Sequence, residues 1–345
     1  MIEVDGSQKS GSGTILRLAV ALSAITGEEL HIYNIRKRRK NPGLRPQHLE
    51  AVNTAAKLCG AELKGGSLNS SEVWFKPEKI EGGKITAEIG TAGSIPMLFL
   101  TVLPICVFAR NEVELLVSNG GTDVRYSPTI NYMRYVLLPV LGEIGLKSSL
   151  IIHKYGYYPK GMGQATLRVQ PYRKLSSLSM QRTGDLQTVY GISVCTFLKD
   201  RKVADRQAEA AKKHLTERGI SSEIDVIYDE SNPLQKGSSI VLWTKTDMNR
   251  VLGADAIGEL GKASEVVGKE AAEKLLPEIS SHATVDIHLA DMIVPYVAFA
   301  EGESVYLTRS MTDHLDTNIW LTEKILNVEF ETLKMNGYYK IVKKE

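Results

Sequence analysis

The chain has few of the residues that mark a metal- or disulfide-built protein. Its 345 residues hold three cysteines, Cys59, Cys106 and Cys195, far apart and with no CxxC or Cys/His cluster. That argues against a zinc ribbon or a disulfide framework and fits reduced, buried thiols in an intracellular protein. Long apolar runs are also missing. The longest, residues 95–109, is too short to span a bilayer comfortably and contains Pro96 and Pro104. It reads as a buried helix, and no membrane partner is expected. The opening MIEVDGSQ lacks the basic-then-apolar pattern of an export signal, so a cytoplasmic protein is expected. Familiar catalytic signatures are absent as well. DGSQKSGSGT has glycines and a lysine but not the terminal Gly-Lys-Ser/Thr of a phosphate-binding P-loop, and neither GxSxG nor HExxH occurs.

Charge of one sign is missing from the chain as a whole but not locally. The 42 Lys and Arg residues nearly balance 40 Asp and Glu. Six of the basic residues lie between Arg36 and Arg45, a stretch of ten residues with no acidic one. Without these six the remainder is net −4. The basic run enters a Pro-Gly turn and then a helix start at Pro46-Gln47-His48. A helix N-terminus presents free N–H groups and the positive end of a dipole, so this is a candidate phosphate site. The alternative is a solvated charge run.

With 43% hydrophobic and 24% charged residues, the chain can bury a sizeable core as one large or two ordinary domains. An order of elements repeats along it. Residues 11–33 read as a Gly/Ser loop, an amphipathic helix (15–25) and a strand (29–33). The basic loop, a helix (46–58), Gly60 and a strand follow. Residues 90–153 repeat this with GTAGS, an apolar helix, a strand (112–117), the loop SNGGTDVRYSP, a helix (129–144) and a strand (147–153). Residues 285–343 repeat it again, with a helix from Leu289, a strand (304–307), the loop TRSMTDHLDT, a helix (318–325) and two strands. The expected fold class is α+β, an α/β sandwich built from duplicated subdomains around one core. Between the second and third copies, residues 184–280 carry their own strand and helix pattern and read as a small inserted α/β domain. The large domain would then be 1–183 with 281–345. If the copies superpose, loops 36–45, 118–128 and 309–317 are equivalent and could meet.

Seven histidines are present. His31, His153 and His214 lie on or beside strands or on a charged helix and read as structural or surface groups. His314 sits in the polar stretch TRSMTDHLDTN, with no apolar pattern to bury it, and is a candidate catalytic residue. YGYYPKGMGQA, residues 155–165, reads by itself as a turn-rich connection.

Together these segments resemble the RNA 3′-terminal phosphate cyclase family over nearly the full chain. The resemblance rests on DGSQxxGxGxILR at 5–17, IRxxRxxPGLxxQHL at 35–49, IGTAGS at 89–94 and GGTD at 120–123. It continues with GYYPKGMG at 156–163, HLAD at 288–291 and His314 followed by Thr-Asn-Ile. It implies repeated units like the C-terminal fold of translation initiation factor 3, as in enolpyruvyl transferases, with a small inserted domain. It also implies ATP-dependent conversion of an RNA 3′-phosphate to a 2′,3′-cyclic phosphate. In that chemistry His314 takes AMP from ATP, passes it to the RNA 3′-phosphate, and the vicinal 2′-hydroxyl expels it. ATP and 3′-phosphorylated RNA are the implied partners. A divalent metal, Mg or Mn, is implied without identifiable ligands.

Arg17, Arg36, Arg39 and Gln47 match positions that line the family's phosphate and RNA site. His288, Leu289, Ala290, Asp291 and Met292 match its nucleotide-binding segment. Asp291 would hold the ribose, and His288 and Pro128 would flank the adenine. The chain departs from the family pattern at Ser10, Leu100, Tyr155, Met162 and Met292. The alternative reading is a non-catalytic, cyclase-like RNA-binding scaffold in ribosomal RNA processing. Scaffolds of that kind typically lack the histidine, which is present here. Oligomeric state and RNA sequence preference are not legible.

Overall fold

A computed structural model describes residues 1–345 except Arg173. The first elements are β1 (Ile2–Asp5), α1 (Gly13–Thr26), β2 (Leu30–Tyr33), α2 (Pro46–Cys59), β3 (Glu62–Lys64) and β4 (Val73–Lys76). Helix α1 starts where Ser12 accepts a hydrogen bond from the Thr14 N–H and stops at Gly27, whose φ of 74° closes the last turn. Helix α2 starts with Pro46 at its first turn and stops at Gly60, φ 63°. The strands form one sheet in the order β1-β2-β4-β3, with β1 and β2 parallel as a strand-helix-strand crossover requires.

The next elements are β5 (Gly83–Glu88), α3 (Ile95–Val107), β6 (Val113–Gly120), α4 (Ile130–Tyr132), a π-helical segment (Met133–Leu137), α5 (Leu138–Glu143), β7 (Lys147–Lys154) and β8 (Gly163–Gln170). Their sheet runs β5-β6-β8-β7, the same positional order as the first, and again its first pair is parallel. The apolar run expected to be a buried helix is α3, capped by Ser94 and buried on nearly every side.

Residues 186–279 then form a separate sheet and helix pair. They comprise β9 (Leu186–Thr196), α6 (Val203–Thr216), β10 (Ser222–Asp229), β11 (Gly237–Thr246), β12 (Gly253–Ile257) and α7 (Ser264–Ile279), with strand order β10-β9-β11-β12. Val189, Leu215, Ile240 and Leu275 belong to a hydrophobic cluster of their own, apart from the large one. Helix α6 is not wholly solvent-facing, since Val203, Ala208, Ala211 and Leu215 are buried on one side of its charged surface.

The chain closes with α8 (Leu289–Met292), α9 (Val294–Phe299), β13 (Ser304–Thr308), α10 (Asp313–Leu326), β14 (Phe330–Lys334) and β15 (Tyr339–Lys343), the strands in the order β13-β15-β14. This sheet matches the last three positions of the other two. Its first position is taken by the segment before β9. Ser176 and Ser179 bridge in parallel to Glu301 and Val305, and Met180 N–H donates to the Val305 carbonyl at 2.7 Å. The 186–279 segment therefore lies between a stretch bridged to the edge of this sheet and helix α8. Helix α1 packs against α2, α3 and α10, which brings several helix N-termini to the same end of the core.

Candidate active site

A cavity of about 690 Å³ opens at that end. Ser12, Gly13 and Thr14 reach it from the start of α1, Gln47 and His48 from α2, Ser94 from α3 and His314 from α10. Each of these helices turns its N-terminal end toward one space, so unpaired N–H groups and positive dipole ends converge there. Arg17, Arg36 and Arg39 line the cavity. Leu18, Ala21, Met97, Leu100 and Pro295 line it as well. The lining thus offers both cations for phosphate and apolar surface for a ring.

The three loops that could be equivalent do meet. Arg36 and Arg39, then Arg125 to Pro128, then His314 all line this cavity. The third is shorter than the sequence reading had it. Helix α10 begins at Asp313, not Asn318. Thr312 is its cap, accepting from the Leu315 N–H at 3.0 Å, and Asp313 and Asp316 occupy the first turn, where carboxylates are favoured. His314 is therefore a first-turn helical residue. Nδ1 of its ring lies 3.1 Å from Thr14 Oγ1, and Arg17 Nη2 donates to the same hydroxyl at 3.1 Å. The first loop and α10 are joined twice more, by Lys9 to Asp316 at 2.9 Å and by the Ser10 N–H to Thr317 Oγ1 at 3.2 Å.

The electrostatics follow from crowding cations in a partly closed space. Burial lowers the Arg17 pKa to about 10; Asp291 opposes this, and Arg36 and Arg39 reinforce it. The His314 pKa is also lowered, first by burial and then by Arg17 and Arg39, so the ring is neutral near pH 7. His48 is buried beside the arginines, and burial foremost pushes its pKa down to about 2. Gly13 leaves room for this packing. A Cβ there would sit 2.5 Å from His48 Nε2 and 2.9 Å from Arg17 Nη1.

Within the basic run the residues divide. Arg36, at φ 55°, folds its guanidinium back to the carbonyls of Asn41 and Gly43 at 2.8 and 2.7 Å. It shapes the loop while facing the cavity. Arg38 donates to the Lys9 carbonyl and Arg45 to Asn69, so neither faces the cavity. Gln47 is tied up differently, accepting from the Ser94 N–H at 2.8 Å.

The segment 288–292 is aimed by Asp286. This fully buried carboxylate accepts from the His288 and Leu289 N–H groups at 3.0 Å, from Gly253 N–H at 2.9 Å, and from the Tyr132 hydroxyl at 2.7 and 2.9 Å. The turn it starts points His288, Asp291 and Met292 into the cavity. Leu289 and Ala290 fall on the other side of the turn, in the core. Pro128 lies on the cavity wall with His288. Burial raises the Asp291 pKa to about 8, with Arg17 opposing.

Several lining residues had no sequence signal. Thr14 is an unspecified position inside a recognised motif, and Asp255 and Lys274 come from the 186–279 segment, which carries no other lining residue. GGTD and GYYPKGMG serve each other instead. Thr122 N–H donates to the Gly156 carbonyl, Gly156 N–H to Thr122 Oγ1, and a Cβ at Gly156 would sit 2.5 Å from the Gly120 oxygen.

The groups present do not fit a protein-held divalent ion. No cluster of three or more His, Cys, Asp or Glu among the described residues could hold a metal. Ser10 Oγ pairs with Ser12 Oγ at 3.0 Å, and the wall carboxylates Asp255 and Asp291 are both pushed toward the protonated form by burial. No helix among the described residues is long and apolar enough to cross a membrane.

Comparison with known proteins gives the family. The family described as RNA 3′-terminal phosphate cyclase matches residues 8–332. A protein of that name from Pyrobaculum aerophilum is 42% identical over 340 residues, covering 99% of this chain and 97% of its own. Those from Methanosarcina barkeri and Pyrococcus abyssi are each 42% identical, over 99% and 96% of this chain and 99% and 95% of theirs. From the first glycine-rich loop to the helix that carries His314, the chain belongs to the RNA 3′-terminal phosphate cyclase family.

Proposed function

We propose that the protein converts an RNA 3′-terminal phosphate to a 2′,3′-cyclic phosphate at the expense of ATP, through a histidyl-AMP intermediate on His314. The observation that carries this is the His314 ring, hydrogen-bonded to Thr14 in a cavity that Arg17, Arg36 and Arg39 also line. The Thr14 hydroxyl has two lone pairs. Accepting from Arg17 and from the His314 Nδ1–H leaves the lone pair of Nε2 free. Nε2 attacks the ATP α-phosphorus, a P–N bond forms, and the bond to the bridging oxygen breaks with departure of pyrophosphate. An oxygen of the RNA 3′-phosphate then attacks the same phosphorus. The P–N bond breaks and the imidazole recovers its lone pair. The 2′-hydroxyl attacks the activated 3′-phosphorus, losing its proton to solvent, and AMP leaves.

Two polyanions must approach each other for these steps. Arg17, Arg36, Arg39 and the converging helix N-termini offset their charge. The apolar lining of the cavity would take the adenine between His288 and Pro128, with Asp291 at the ribose. Leu289 and Ala290 would support this segment from the core. The division into a large domain, 1–183 with 281–345, and an inserted domain, 184–280, is supported by the separate sheet and cluster of residues 186–279. Three unpaired, buried cysteines suit a reducing cytoplasm.

Incubation with ATP labelled at the α-phosphate should place acid-labile, alkali-stable label on the chain, and His314→Ala should abolish it. Absence of any adduct with every divalent ion supplied would remove the enzymatic reading and leave an RNA-binding scaffold.

A further inference from the structure

Tyr126 stands at the edge of the cavity with its side chain 95% exposed. A lone exposed aromatic needs no explanation on most surfaces. This one differs in two respects. Its backbone is in the left-handed region, φ 63°, which costs a bulky residue energy and persists only where the surroundings impose it. The surroundings do so from both sides. Arg125 makes a two-pronged ion pair with Glu259, from the loop after β12. Ser127 hydrogen-bonds to Ser94, the cap of α3, and donates to the Pro128 carbonyl at 2.9 Å. A loop fixed at its flanks thus holds out a ring that the protein itself hardly covers. Leu260, next to Glu259 and fully exposed, gives a second apolar surface beside the same ion pair.

Arg39, Arg125 and Lys274 line the same cavity, Arg125 paired with Glu259 and Lys274 with Glu270. A flat apolar face at the rim of a cavity lined by arginines matches a nucleobase attached to phosphates, which stacks on aromatic rings without sequence preference. We infer that Tyr126 is a stacking platform for the base of the RNA 3′-terminal nucleotide, outside the chamber where AMP is transferred. This rests on the RNA reading given under Proposed function. It adds a contact that orders the terminal ribose, so that its 2′-hydroxyl and 3′-phosphate enter together.

The test is binding of a 3′-phosphorylated RNA oligomer, followed by fluorescence anisotropy with no ATP present, so that adenine cannot occupy the ring. Tyr126→Ala should weaken binding roughly five- to hundredfold, and Tyr126→Phe and Tyr126→Trp should restore it. An oligomer whose terminal unit lacks its base should bind the unaltered protein more weakly by a similar factor and show no further loss with Tyr126→Ala. Equal affinity of the Ala variant for the intact oligomer overturns the platform, as does an equal loss on the abasic one. Tyr126-dependent binding without any cyclisation would keep the platform and refute the cyclase reading. Cyclisation with Tyr126-independent binding would do the reverse.

Discussion

Thr14 Oγ1 and His314 Nδ1 lie 3.1 Å apart although 300 residues separate them in the chain. The contact fixes the ring's orientation; with Nδ1 as the donor, as proposed, Nε2 keeps its lone pair for attack from one direction. Thr14→Val keeps the shape and removes the hydroxyl. Label transfer from ATP to the chain should slow roughly tenfold, the scale of one hydrogen bond worth about 0.5–1.5 kcal/mol. Thr14→Ser should retain most of the rate. A Val variant as fast as the parent would show that ring orientation is set elsewhere.

The pH dependence of that same half-reaction has a definite sign. Burial and then Arg17 and Arg39 disfavour imidazolium at His314, so its pKa lies below the ordinary value of 6.5. The rate of label transfer should therefore stay flat as pH falls through 6.5 and decline only below it. Removing a cation favours imidazolium, so Arg39→Ala should shift the acid limb upward, whatever it does to the maximal rate. A limb that stays put or moves down would contradict the assignment of Arg39 to the ring's electrostatic surroundings.

His48 gives a stability prediction. Its folded-state pKa of about 2 lies below the unfolded value of 6.5. Between those values the unfolded chain binds a proton that the folded chain refuses. Stability from this residue is fully present above 6.5 and is lost as pH falls toward 2, with a slope of at most about 1.4 kcal/mol per pH unit. Thermal melts from pH 7 to pH 4 should show a steeper drop for the parent than for His48→Gln. Parallel curves would mean that His48 is solvated or paired in a way the packing beside Gly13 does not provide.

Much of the core was legible because its signals are local. Pro46 at a helix start, Gly60 at its end, and the apolar run of α3 each announce their element within a few residues. Helix α10 was cut short because its first turn is polar, and Thr312, Asp313 and Asp316 look like loop residues until they are read as a cap. Strand β12, Gly-Ala-Asp-Ala-Ile, has too little side chain to announce itself. In the site, the basic run and His314 carry chemistry in their residue types. Thr14, Asp255 and Lys274 do not, because they acquire meaning only by where the fold delivers them.

The placement of residues 186–279 also bears on the order of assembly. They divide the third sheet, so the strand partner at 175–180 leaves the ribosome well before β13, which it must meet. The Lys9–Asp316 and Ser10–Thr317 contacts close a still longer loop of 307 residues. Such distant pairings form late, because a long closure must precede any reward. A nascent chain can therefore display Arg17, Arg36 and Arg39 before His314 reaches them. On the mechanism proposed above, the capacity to take AMP would appear only once the first loop and helix α10 are clasped.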